Sequence, residues 1–139
     1  GLATHPNADH PRDGLRLIGA RLVAPVRCAP PANKPTPAER DTCAHWLDRE
    51  VELALPSVSS VVALGSFAWT AALGTLSRAG LDVPRPRPRF GHGAEVALDG
   101  GPSGPIRLIG CFHPSQQNTF TGRLTEEMID AVLTRAHKA

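Results

Sequence analysis

Two short apolar runs, each leading through a glycine or polar segment into a helix-forming stretch, constrain this chain more than any other feature. Ser60 to Leu64 (Ser-Val-Val-Ala-Leu) stops at Gly65, where Ser66 caps a helical pattern that reaches about Arg78 and is closed by Gly80 as a left-handed terminator. Ile106 to Cys111 is the second run, and it feeds the polar stretch from Phe112 to Arg123. A final amphipathic helix then starts at about Leu124 or Thr125 and reaches about Lys138, with Met128, Ile129, Val132 and Leu133 inward. Strands alternating with helices predict an α/β chain: three α/β/α layers around a central, mostly parallel sheet.

The rest of the pattern fits that layering. Residues 1–14 are an irregular lead-in, and within Leu15 to Val26 the cluster Leu22-Val23-Ala24 reads as a buried parallel strand. Prolines exclude regular structure from Cys28 to Pro35. Thr36-Pro37-Ala38-Glu39 combines a cap, a first-turn proline and a capping-box glutamate, predicting a helix to about Ala54. Cys43, Trp46, Leu47, Val51 and Leu53 would share its broad apolar face. Glu95 to Leu98 reads as a strand and Asp99 to Gly104 as a turn. Arg85, Arg87 and Arg89 alternate with Pro84, Pro86 and Pro88 in an extended, polyproline-like segment, equally a stiff connector or a strip facing phosphates.

At 139 residues, 41% hydrophobic and 20% charged, the chain reads as one domain, residues 1–139, with an ordinary globular composition. No apolar stretch approaches the ~20 residues that span a bilayer, so no membrane partner is expected. A net charge of +2 does not establish a nucleic-acid partner. Three cysteines without a secretory leader direct attention to metal or cluster ligation rather than disulfides.

The stretch Gly110-Cys111-Phe112-His113-Pro114-Ser115-Gln116-Gln117-Asn118-Thr119-Phe120-Thr121-Gly122-Arg123 is where the chemistry is expected. It leaves the carboxyl end of a strand, where open α/β sheets bind their ligands, and its histidine, amides, hydroxyls and arginine come without a carboxylate. The run resembles the loop of the iron–sulfur family-5 (type B) uracil-DNA glycosylases, which reads His-Pro-Ser-x-x-Asn-x-x-x-Gly-Arg. The resemblance implies a uracil-DNA glycosylase-like fold and a repair hydrolase that flips uracil out of DNA and cleaves its N-glycosidic bond. His113 would donate to the departing base, and Ser115, Gln116, Gln117, Asn118 and Thr119 would enter the duplex. Gly122 and Arg123 would hold a phosphate at the start of the last helix. Phe90-Gly91-His92-Gly93 also resembles a family run, which would set His92 beside the DNA; a plain hairpin turn reads equally well from the residues alone.

Cys28, in Val26-Arg27-Cys28-Ala29-Pro30-Pro31-Ala32-Asn33-Lys34-Pro35, and Cys43, fourteen residues beyond it, resemble two of the four thiolates of the family's [4Fe–4S] cluster. Cys111 reads instead as a small buried residue. By resemblance the chain corresponds to the C-terminal two thirds of a family member, truncated at the N-terminus. It would lack the other cysteine pair and the Gly-Leu-Ala-Pro-Ala-type motif that shapes the uracil pocket. Ala24 stands where many relatives place an asparagine, which implies a broader range of deaminated bases. The expectation is a monomeric cytoplasmic protein acting on uracil-containing DNA, poor or inactive as the chain stands. The competing readings are a non-catalytic DNA-binding remnant and a small metal module using Cys28, Cys43 and His45.

Overall fold

In a computed structural model, which describes residues 1–28 and 31–138, the helix predicted from the Thr36 capping box runs over Pro37–Ala54 (α1). Thr36 Oγ1 accepts from the Glu39 N–H at 3.2 Å, and Glu39 Oε2 accepts from the Thr36 N–H at 2.6 Å. Two orphan donors of the first turn are thereby satisfied. After a 3-10 turn, Leu55–Ser57, come β1 (Ser60–Leu64) and α2 (Ser66–Arg78). The cap of α2 is Gly65, at φ 94° and ψ 165°, and Ser66 is its first residue rather than its cap. Its far end is a Schellman closure, with Gly80 N–H on the Ser77 carbonyl and Leu81 N–H on that of Leu76.

Strands β2 (Glu95–Leu98) and β3 (Ile106–Cys111) complete a sheet in the order β1-β3-β2. β1 and β3 are parallel, with Leu64 opposite Cys111, whereas β2 is antiparallel to β3, with Glu95 opposite Ile109. The sheet is therefore mixed rather than mostly parallel. The connection over residues 99–105 is too short for the crossover that a parallel pair needs. A short helix absent from the sequence reading, α3 (Gln116–Phe120), precedes α4 (Glu126–His137).

Alternation along β3 fills both faces of the sheet. Ile106 and Leu108 pack with Ala63, Trp69, Leu73 and Leu76 beneath α1 and α2. Ile109 and Cys111 pack with Leu124, Val132, Met128 and Ile129 beneath α4. Three layers result, as expected. No helix of the described residues is long and apolar enough to cross a membrane.

Several local expectations are corrected. Leu22-Val23-Ala24 is not a strand, and Leu22 is 76% exposed. Arg21 and Arg27 both pair with Glu50, which pins this segment along α1 and away from the sheet. Trp46 and Leu53 face solvent, leaving Leu47 as the buried residue of α1, flanked by half-buried Cys43 and Val51. The lead-in closes on itself, with Thr4 N–H on the Arg16 carbonyl and Ile18 N–H on that of Leu2. Asp13, accepting from the N–H groups of Leu15, His10 and Asp9, is held below its ordinary pKa. In the cysteine–proline run, Pro31–Asn33 forms one 3-10 turn, while Ala29 and Pro30 lie outside the described residues. The Arg-Pro segment bends at the cis Arg85–Pro86 peptide, and the Pro88 carbonyl accepts from Trp69 Nε1 at 2.8 Å.

Candidate active site

His113 leaves the sheet at the carboxyl end of β3, where the parallel pairing with β1 also ends. Two contacts fix the chain on which it stands. On the β1 side, Gly65 N–H donates to the Cys111 carbonyl at 2.8 Å. On the β2 side, Phe112 N–H donates to His92 Nδ1 at 3.1 Å. Gly65 also lies directly against the histidine, since a Cβ built on it would stand 3.2 Å from His113 Cβ. The imidazole itself is exposed.

Beyond His113 the chain folds back on its own root. Ser115 N–H and Asn118 Nδ2 both donate to the His113 carbonyl, at 2.8 and 2.9 Å. Ser115 Oγ caps α3 by accepting from Asn118 N–H, and Thr119 Oγ1 donates to the Ser115 carbonyl. Of the five polar residues expected to meet DNA, Ser115, Asn118 and Thr119 are thus engaged in building the turn. Gln116 and Gln117 are exposed. Leu124, 2% exposed, anchors the far end in the core, its N–H on the Asn118 carbonyl. Phe120, which the sequence reading passed over, is 84% exposed.

Arg123 is placed by stacking. Its guanidinium carbon lies 4.7 Å from the centre of the Phe112 ring, a cation–π contact. The same ring meets His92 at 5.0 Å and Phe90 at 6.3 Å. At the start of α4, Thr125 caps the helix and Glu126 and Glu127 occupy its first turn. Among the described residues no acid pairs with Arg85, Arg87, Arg89 or Arg123.

The Phe90-Gly91-His92-Gly93 run is a tight turn laid across the end of β3. Ala94 N–H reaches the Gly91 carbonyl, and a Cβ on Gly110 would stand 2.3 Å from that same oxygen. Gly110 is therefore required by close backbone approach. A glycine inside an apolar strand was the available sequence signal for it.

A model of the uracil DNA glycosylase superfamily matches residues 2–136, nearly the whole chain. The chain belongs to that superfamily. Type-5 uracil-DNA glycosylases are among its relatives. That of Mycobacterium bovis is 49% identical over 138 residues, covering 99% of this chain and 48% of the relative. Those of Mycobacterium leprae and Thermus thermophilus are 46% and 45% identical, each over 99% of this chain and over 57% and 58% of the relative. The chain thus spans about half the length of the curated relatives it matches, a smaller share than the two thirds expected.

For a superfamily member with an iron–sulfur cofactor, four thiolates would be required. The residues present do not fit one. Cys28 is exposed, Cys43 half-buried and Cys111 fully buried among Ile109, Leu124 and Val132, where burial pushes its thiol pKa up. His45 is turned to its own helix, with Nδ1 donating to the Thr42 carbonyl at 3.0 Å. Among the described residues no three of His, Cys, Asp or Glu converge on one point, so the expected cluster site at Cys28 and Cys43 is incomplete here.

Proposed function

We propose that this chain carries the leaving-group side of a uracil-DNA glycosylase, a DNA-repair hydrolase acting on uracil and other deaminated bases. The observation that carries this reading is the exposed His113 on a root held at both edges. In the reaction the bond from C1′ to the base nitrogen breaks, its electron pair leaves with the base, and water adds at C1′. Negative charge grows on the base oxygen. A fixed, neutral imidazole donor aimed at that oxygen favours the charge most where it is fully developed.

The base must leave the stack first. Gln116, Gln117 and Arg123 are the outward groups available to the DNA. Ser115, Asn118, Thr119 and Gly122 shape the turn that presents them, and His92 belongs to the interface through the loop it holds. Cys28 and Cys43 would supply two of the four thiolates that an iron–sulfur cluster takes. The protein acts in this reading as a cytoplasmic monomer. One observation favours a DNA-binding role without catalysis: among the described residues no carboxylate hydrogen-bonds or ion-pairs with residues 112–123.

Single-turnover release of uracil from a duplex holding one deoxyuridine, with protein in excess, tests both readings. His113→Ala should lower release by ~10²–10³ while leaving duplex affinity unchanged. Unchanged release in that variant removes His113 from the reaction. Duplex binding with no release by the unaltered chain selects the non-catalytic reading.

A further inference from the structure

We propose that His92 is a positioning residue for the His113 loop, its ring nitrogen standing in for a strand carbonyl at the last rung of the β2–β3 ladder. Its bearing on base release rests on the glycosylase reading above, whereas its bearing on the loop does not. The named β2–β3 pairs end at Glu95 and Ile109. The ladder continues one step further, with Gly110 N–H on the Ala94 carbonyl and Gly93 N–H on the Gly110 carbonyl, both at 2.8 Å.

Amide groups two residues apart on a strand point to the same edge, so the next donor on that edge is Phe112 N–H. No carbonyl remains to meet it, because the chain has already turned away at Gly91 to Ala94. His92, inside that turn, presents Nδ1 to it at 3.1 Å. An imidazole nitrogen that accepts is unprotonated, which puts the proton of the neutral ring on Nε2.

The surroundings enforce this geometry. Gly110 leaves the room in which the Gly91 carbonyl passes over β3. Arg135 Nη1 donates to the Gly93 carbonyl at 3.2 Å, tying the turn to α4. The imidazole also packs on the Phe112 ring at an interplanar angle of 38°. Since Phe112 immediately precedes His113, this hydrogen bond is the last restraint on the β2 side before the catalytic residue. Gly65 supplies its counterpart on the β1 side. Gly93, at φ 75°, and the histidine of this run are therefore parts of one device with Gly110, the two glycines admitting the turn and His92 closing the ladder.

Three variants separate the acceptor from the ring. His92→Asn keeps an oxygen near the place of Nδ1, His92→Phe keeps an aromatic ring without an acceptor, and His92→Ala removes both. Amide exchange followed by NMR should show Phe112 N–H protected in the unaltered chain and in His92→Asn. In the other two it should exchange at least ~10-fold faster, and single-turnover base release should fall by ~10-fold or more. In the unaltered chain the nitrogen shifts of His92 should report an unprotonated Nδ1 at neutral pH, a reading that survives even if a variant fails to fold. Protection and release retained in His92→Phe, no rescue by His92→Asn, or a protonated Nδ1 would each overturn the proposal. Weaker duplex binding in all three variants with Phe112 still protected would overturn it in favour of a direct DNA contact. An unaltered chain that releases no uracil defeats the glycosylase reading alone, and the exchange and nitrogen measurements still decide the role of His92.

Discussion

Gly65→Ala separates the seat of His113 from the stability of the fold. Gly65 lies at φ 94° and ψ 165°, a region essentially reserved for glycine. A side chain there costs about 1–3 kcal/mol. For a chain of 139 residues each kcal/mol moves Tm by roughly 3–5 °C, so a fall of roughly 3–15 °C is expected. The second effect is local. The new methyl would stand 3.2 Å from His113 Cβ, closer than ordinary contact, and the exposed histidine is free to yield by a few tenths of an ångström. If a misplacement of ~1 Å costs ~10²-fold, this shift should slow base release about three- to ten-fold. Gly80→Ala is the control, because Gly80 has φ 98° with nothing within 4 Å of its would-be Cβ. It should lose about 1–2 kcal/mol from backbone strain alone and keep its rate. Thermal denaturation and single-turnover release, compared at a temperature where both variants are folded, decide the matter. Equal rates in the two variants would refute the claim that Gly65 seats the histidine.

Two further perturbations address charge. Arg123→Ala should weaken binding to every duplex about equally and lower the salt slope by about one unit. A loss confined to particular sequences, measured by fluorescence anisotropy at several salt concentrations, would mean base readout instead. Asp48 accepts from Arg78 Nε and Nη2 at 2.7 and 2.8 Å and from Thr75 Oγ1, joining α1 to α2. The Arg78 hydrogen bonds chiefly hold its carboxyl below the ordinary value of 3.8. The folded state therefore binds this proton more weakly than the unfolded chain. The resulting stability is complete above the ordinary value and is lost as pH falls through the lowered one. With Arg78 half exposed, Asp48→Asn should cost about 1–2 kcal/mol near neutral pH. The difference from the unaltered chain in urea unfolding should shrink below pH 3.8, and a constant difference down to the acid limit would exclude the ion pair as its source.

Much of the architecture was readable because local chemistry and tertiary structure agree. The capping box at Thr36 marks the start of α1, and the apolar runs at Ser60 and Ile106 match β1 and β3 to the residue. The errors fall where tertiary partners decide. Leu22-Val23-Ala24 has the residues of a strand, yet the Glu50 ion pairs hold its flanks on α1. Helix α3 occupies five residues, too short for a period to show, and its cap is visible only through Ser115 and Asn118. His113 was singled out by its motif, and the sheet register then sets it at the carboxyl end of β3. The contact between His92 and Phe112 spans twenty residues and depends on the β2–β3 register, which no local pattern encodes. Placing the cysteines near a cluster required a likeness to relatives, and the described residues leave that set incomplete.

The two-sided hold on Cys111 and Phe112 and the buried Leu124 at the far end make the loop an arch, with a foot in the core at each side. His113 stands beside the first foot, while Gln116, Gln117 and Phe120 lie exposed on the crown. An arch moves least beside its feet, so bending at the crown reaches the histidine attenuated. The crown residues can then be exchanged for other side chains, by selection or by design, without displacing the root on which His113 stands.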